Sequence, residues 1–434
     1  MLRRGLSAFI FLAAAQILLA GPGLSVKVSI WPKEGWMEGG WGKLMFEFSN
    51  PTERPLTVSR NRSQWQADGR PVLQPWTKKI DMTIEPGKTA KLEQMTWFNP
   101  QTIAQAQNGG VTIKGDIEYK DQAAESTLDY EVEIPVASLP EPLRKIEGSC
   151  ISLNLTESRL RLLKDPNGVL DCLDRIYLAM ADLAGRRPYN GKVVEFKECP
   201  RHFAWAYAGN PISLNTRYVQ GSVKAFDSGT VDFGWIHELG HDFDDGIGKW
   251  YNITGQWAEF SANFKLSYAY EKVIDGNGRF RVSLWKQGNR NNRPLGSGRQ
   301  FNDGYFLMHG TKYLADPSRD WTTLESDEIH SFHTMLVREY GWDVFRSWYR
   351  TFVKLDELGH KPPADAEDKI NLSCAILSQA CGKDLSPVFK RWRMPVSPEK
   401  ITNIKQQYPV EEHTTKARLE GDGSWAGQID VRQK

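Results

Sequence analysis

A single switch of hydrophobic period constrains this chain most. From residue 26 to about 134 several runs place apolar residues at every second position, and beyond the proline-rich residues 135–142 helical spacing of three or four takes over. Val26-Lys27-Val28-Ser29-Ile30 alternates apolar and polar, as do residues 43–48, 112–119 and 128–134. Turn signals separate these runs: Asn50-Pro51, Asp68-Gly69, Glu85-Pro86-Gly87 and Asn108-Gly109-Gly110. Several short strands at this spacing predict an immunoglobulin-like β-sandwich over residues 26–139. Trp31, Trp36, Trp41, Trp65, Trp76 and Trp97 fall within it. Burial in the sandwich is their commoner use, and stacking on sugar rings is the competing one.

Past the linker, Leu170, Leu173, Ile176, Tyr177, Met180 and Leu183 line one face of a helix that starts after Asp165-Pro166 and stops near Gly185. Residues 193–196 and 203–207 read as short strands. Residues 328–340, 342–355, 366–380 and 385–392 read as helices. A chain of 434 residues exceeds one ordinary domain. The expected class is therefore a multidomain β plus α+β protein, with the sandwich followed by a mainly helical domain over residues 140–400. Residues 401–434 are polar and receive no assignment.

Residues 1–25 have the layout of a secretory signal peptide: Arg3 and Arg4, an apolar run over residues 8–20 broken by Gln16, then Gly21-Pro22-Gly23. The run is short for a transmembrane span, and no other stretch is long and apolar enough, so no membrane span is expected in the mature chain. The predicted location is secreted, periplasmic or cell-surface. A net charge of +2 gives no global reason to expect nucleic acid as a partner. The basic residues 279–299 read first as a solvated loop and second as a binding rim for an acidic substrate. Five cysteines show no paired metal spacing. Cys374 and Cys381, on one predicted helix, would stand about 10 Å apart, too far for a disulfide. Either no disulfide or one among Cys150, Cys172 and Cys199 is expected. Asn61, Asn154, Asn252 and Asn371 head Asn-x-Ser/Thr sequences.

One pattern carries chemistry. In His237-Glu238-Leu239-Gly240-His241 the two imidazoles stand one helical turn apart and can reach one ion. Glu238 projects about 100° away, beside the ion without ligating it, where it can accept a proton from water. Phe233, Ile236, Gly240 and Phe243 make an apolar stripe, with Gly240 admitting a neighbouring backbone. Asp356-Glu357-Leu358-Gly359-His360 repeats the pattern without its first His and reads as a loop. Catalytic zinc takes three protein ligands and one open position. A metzincin would have Gly at position 244 and His at 247; Asp244 and Ile247 exclude that class. Glu259, eighteen residues after His241 on a second predicted helix, is the natural third ligand, and Asn263 one turn on can orient a ligand His. One Zn2+ per chain is expected.

These residues, with Glu259 inside a Trp-Ala-Glu-Phe-x-x-Asn helix, resemble the enhancin-like, mucin-directed zinc peptidases (peptidase family M-sixty). Ala208-Gly209-Asn210-Pro211-Ile212 is similar to a stretch preceding the family's zinc helix, and residues 368–372, 382–389 and Trp392 to its closing helices. The resemblance spans about residues 146–400. It implies a zincin-type (gluzincin) catalytic domain, a protein or glycoprotein substrate such as mucin, and possible glycan contact. Tyr207, Tyr305, His309, His330 and His333 are candidate oxyanion donors, though such residues more often serve structure. Two alternatives stand beside peptide hydrolysis: a non-catalytic glycan- or cell-wall-binding protein on a degenerate zincin scaffold, and a zinc hydrolase of another amide.

Overall fold

The structure, a computed structural model, describes residues 16–20, 23–33, 35–36, 41–98, 110–121, 124–136, 139, 141–199, 205–274, 281–283 and 306–416. Its contacts divide the chain into two units. The first is residues 1–142 with 198–205 and 215–217, and the second is the remainder.

The first unit is β-sheet: β1 (Gln16–Ala20), β2 (Ser25–Trp31), β3 (Trp41–Ser49), β4 (Leu56–Ala67), β5 (Arg70–Pro71), β6 (Trp76–Ile84), β7 (Thr89–Trp97), β8 (Val111–Lys120) and β9 (Glu125–Glu133). One sheet has the order β1-β2-β3-β7 and the other β5-β4-β8-β9, with β6 also paired to β4. The predicted alternation is visible in β2, where Val26, Val28 and Ile30 are buried and their neighbours are half-exposed. Residues of both sheets share one apolar core. The Asp68-Gly69 signal is the two-residue loop joining β4 to β5, with both residues left-handed (φ 47° and 79°), as such hairpins require. Trp36 and Trp65 are buried with ring centroids 6.0 Å apart, so these two serve the core.

β4, β6 and β7 were not anticipated. In β4 the reason is Asn61 and Ser63, polar residues at buried positions that break the alternation. A hydrogen-bond chain satisfies them. Asn61 Nδ2 donates to Gln94 Oε1 (2.9 Å), Tyr130 OH donates to Asn61 Oδ1 (3.1 Å), and the Ser63 and Tyr130 hydroxyls pair at 2.5 Å. Part of the predicted signal peptide is the strand β1, antiparallel to β2 with Gln16 opposite Ser29. Residues 1–15 lie outside the described residues, as do 417–434 and all of the basic stretch 279–299 but Arg281–Ser283.

The second unit contains β10 (Leu143–Glu147), β11 (Ile151–Thr156), β12 (Val194–Cys199), β13 (Ala206–Tyr207), β14 (Ile212–Asn215), β15 (Thr230–Asp232) and β16 (Arg281–Ser283). Its helices of six residues or more are, among the described residues, α1 (Pro166–Ala184), α2 (Thr216–Asp227), α3 (Phe233–Asp242), α4 (Gly255–Ala269), α5 (Phe306–Ala315), α6 (Ser326–Tyr340), α7 (Asp343–Glu357), α8 (Ala366–Cys381), α9 (Ser386–Arg391) and α10 (Pro398–Gln407). The main sheet runs β10-β11-β12-β14-β13, so two-residue β13 is an edge. α1 connects the parallel pair β11 and β12. Its ends are those expected: the Asp165 carboxylate accepts from the Gly168 N–H, and Gly185 closes it left-handed at φ 70°. α2, α5, α10, β10, β11 and β14 were not foreseen. The Asp356–His360 segment is a loop only in part, since α7 runs through Glu357 before Gly359 turns at φ 80°.

Two cores organise this unit. One lies among the sheet and α1, α2 and α3; the other is helical and aromatic. α4 serves both, giving Leu266 and Ala269 to the first and Trp257, Phe260 and Phe264 to the second. α3 crosses α4 at Gly240: a Cβ there would lie 2.6 Å from the Ala262 carbonyl oxygen. All five cysteines are buried, and none is in a disulfide. Asn61 and Asn371 are buried too, so the folded chain withholds them from glycosylation. Among the described residues no helix is long and apolar enough to cross a membrane.

Two stability predictions follow from this packing. Gly240→Ala forces a methyl against the α4 backbone and should destabilise by about 1–3 kcal/mol, measured by denaturant unfolding; an unchanged midpoint would refute the close crossing. The second concerns His330 and His333, both buried in α6, where burial pushes each pKa down to about 3. The unfolded chain takes those protons near the ordinary pKa of about 6.5. Between about pH 6.5 and 3 the unfolded state therefore binds more protons, and acid removes stability by about 1.4 kcal/mol per pH unit for each histidine. His333→Phe should flatten the acid limb of a melting-temperature profile relative to wild type; parallel limbs would contradict a neutral His333.

Candidate metal centre

The predicted ligands come from α3 and α4, and local sequence fixes both helices. Asp232 caps α3, accepting from the Gly234 N–H at 2.8 Å and from the Ser222 hydroxyl at 2.5 Å. Trp235, Ile236 and Leu239 bury the core face of α3, leaving His237, Glu238 and His241 on the other side. α4 is buried on most sides, and Glu259 is its exposed position beside α3.

The donor atoms of His237, His241 and Glu259 all lie within 4.8 Å of one another, and among the described residues they form the one such cluster. The Nε2 atoms of His237 and His241 are 3.1 Å apart. Glu259 Oε2 is 3.1 Å from His237 Nε2, and its Oε1 is 3.7 Å from His241 Nε2. Tetrahedral zinc with bonds near 2.0–2.1 Å needs donors about 3.3 Å apart, so two imidazoles and a carboxylate at these separations fit it. Asn263 Oδ1 stands 2.8 Å from His237 Nδ1. An amide oxygen there accepts the Nδ1 proton and leaves Nε2 as the lone-pair donor.

The charges divide clearly. Desolvation pushes the Glu238 carboxyl up to about 7; Glu259 adds to this, and His237 and the Ala208 N–H oppose it. The hydrogen bond with His237 holds Glu259 below the usual carboxylate range. Burial alone would lower His237, but Glu259, Glu238 and Asn263 outweigh it and raise it. Burial, with His237 alongside, pulls His241 down to about 4. One carboxylate is thus poised near neutrality while the other is held ionised.

Of the candidate oxyanion donors, Tyr207 on β13 is brought to the site. Its phenol is half-buried and raised by burial, with Glu238 and Glu259 acting on it. His330 and His333 sit in the helical core beside Phe260 and Phe264. His309 is 3.7 Å from Asp327, and Tyr305 lies outside the described residues.

Sequence reasoning missed two groups at the end of α3. Asp244 Oδ1 accepts from Lys265 Nζ at 2.5 Å, Tyr251 OH at 2.5 Å and Ser261 Oγ at 3.2 Å. Lys265 is fully buried in α4, and burial lowers its pKa against the pull of Asp244. Asp242 Oδ1 accepts from Tyr189 OH at 2.9 Å and from the Gly209 N–H at 2.7 Å. Asp242 and Asp244, one and three residues after the second His, were the available signal.

A sequence model of the peptidase M60, enhancin and enhancin-like family matches residues 124–393. TRPM8 channel-associated factor 1 of Bos taurus is 24% identical over 313 residues, covering 71% of this chain and 31% of that protein. TRPM8 channel-associated factor 3 of Mus musculus is 26% identical over 298 residues, covering 67% and 29%. The chain spans under a third of the length of these curated relatives. A functionally unknown conserved protein from Bacillus anthracis str. Ames overlays with a TM-score of 0.46 at 14% identity, covering 87% of this chain and 73% of that one. The family match takes in more than half of the chain, including α3 and α4 with all the clustered residues, and on that basis this protein belongs to the enhancin-like M60 peptidase family.

Proposed function

We propose that the chain is an exported zinc metallopeptidase that hydrolyses peptide bonds in glycoproteins such as mucins. In this reading the second unit is a zincin-type catalytic domain and the first an immunoglobulin-like accessory domain able to contact glycan. The observation that carries it is the convergence of His237, His241 and Glu259 with Glu238 beside them and outside the ligand set.

Zinc bound there supplies a Lewis acid for the scissile carbonyl and acidifies a neighbouring water. Glu238, near neutrality in its desolvated position, accepts a proton from the attacking water and returns it to the leaving amine. Asn263 holds the His237 ring in the tautomer that presents Nε2. Tyr207, in the field of both glutamates, is the favoured donor to the developing oxyanion.

The names of the curated relatives favour a second reading. They describe association with the TRPM8 channel rather than catalysis, which suits a binding protein on the same scaffold. The intact Glu238 weighs for catalysis, because a site kept only for binding has no use for a half-buried base beside the cluster.

Metal analysis of the purified chain should find one zinc, and cleavage of an O-glycosylated mucin should stop on chelation. Zinc without cleavage of any glycoprotein would favour the binding reading, and a folded chain that takes up no zinc would overturn the proposal. Glu238→Gln should keep the zinc and lose at least about a thousandfold in kcat. Asn263→Ala should weaken zinc affinity by about 10- to 100-fold, read by competition with a chelating dye.

A further inference from the structure

The edge strand β13 ends at Tyr207, and the next two residues are tied to α3 by their backbone. The Gly209 N–H donates to Asp242 at 2.7 Å, and the Ala208 N–H beside it acts on the Glu238 carboxyl. Gly209 has φ 135°, a conformation that L side chains rarely adopt. Its carboxylate partner is deeply buried, and the other oxygen, Asp242 Oδ2, has no hydrogen-bond partner among the described residues. The remaining bond to Oδ1 comes from Tyr189 OH at 2.9 Å. Tyr189 reaches it from a run of three left-handed residues, Tyr189, Asn190 and Gly191, at φ 51°, 57° and 78°. Two consecutive non-glycine residues in that region persist only where surrounding structure holds them there, and such sites cluster where geometry is functional.

We propose that Asp242 and Tyr189 are positioning residues for Glu238. Through the Gly209 N–H they clamp the peptide that follows Tyr207, so that the Ala208 N–H stays aimed at the Glu238 carboxylate and Tyr207 stays beside it. This rests on the peptidase reading. The clamp explains why an aspartate follows the second metal-binding His and why glycine follows Ala208. It also gives the Pro188-Tyr189-Asn190-Gly191 turn a task at the site. Neither clamp residue touches substrate; each acts by placing the base, and small displacements of a catalytic group are enough to cost large factors in rate.

The test uses the full chain loaded with zinc. Tyr189→Phe removes one oxygen, Asp242→Ala removes the clamp, and Asp242→Asn keeps an acceptor for the Gly209 N–H. Three readouts are taken: kcat and KM on a glycoprotein substrate, zinc content, and hydrogen exchange of the peptide containing Ala208 and Gly209. The expected result is a kcat reduced about tenfold in Tyr189→Phe and about a hundredfold in Asp242→Ala. KM and zinc content should hold, exchange at Ala208 and Gly209 should quicken, and Asp242→Asn should restore most of the rate. Wild-type kcat in both Tyr189→Phe and Asp242→Ala would overturn the clamp, as would a fall in zinc content that accounts for the loss. Should wild type hold zinc and cleave nothing, the peptidase reading fails instead, and exchange alone decides: unaltered protection in Asp242→Ala overturns the clamp, and faster exchange confined to that peptide supports it. If Asp242→Ala does not fold, Tyr189→Phe carries the same comparison.

Discussion

The geometry of the His237, His241 and Glu259 cluster depends on the crossing of α3 and α4. The helices meet where Gly240 has no side chain to hold them apart, and the Ala262 backbone fills the space. Just beyond, the buried Asp244–Lys265 pair ties the end of α3 to the middle of α4. A buried pair of this kind contributes little net stability, but leaving either partner alone costs about 3–5 kcal/mol, so it selects one register strongly. That register brings Glu259 of α4 opposite His237 and His241 of α3, and it places Asn263 against the outer nitrogen of the first imidazole. Three side chains on two rigid elements are thereby set at spacings that would suit a single ion.

The same crossing separates the two glutamates chemically. Glu259 leans into the imidazoles and is held ionised by them, while Glu238 is turned into a desolvated space with a single backbone donor near it. Identical side chains thus acquire opposite tendencies from position alone, which is how a site obtains both an anionic ligand and a neutral-range base.

How much of this was legible in the sequence varies by residue. α3 and its apolar stripe were readable because helical spacing is local, and α1 because its cap and its terminal glycine were both present. Glu259 and Asn263 were readable once the motif upstream demanded a third ligand. β4 was not, since Asn61 and Ser63 look like surface residues until Gln94 and Tyr130, far along the chain, are brought to meet them. Lys265 was hidden for the same reason: a lysine in a helix reads as solvated unless its buried aspartate is known. Tyr189 and Asp242 are 53 residues apart, and no spacing rule connects a left-handed turn to a helix terminus. Local periodicity found the elements, while polar residues satisfied at long range had to be seen in three dimensions.

Strand β1 closes one side of its sheet with five residues, opposite the longer β2. Short strands are a common way of blunting the open rim of a sheet, because they offer few unpaired amides to a passing chain. Trimming the polypeptide after Ala20 would strip that cover and leave the seven residues of β2, Val26, Val28 and Ile30 among them, as the new rim. The five residues of β1 thus bear on colloidal behaviour: they decide whether this sheet carries a short, guarded border or a longer one that invites another strand.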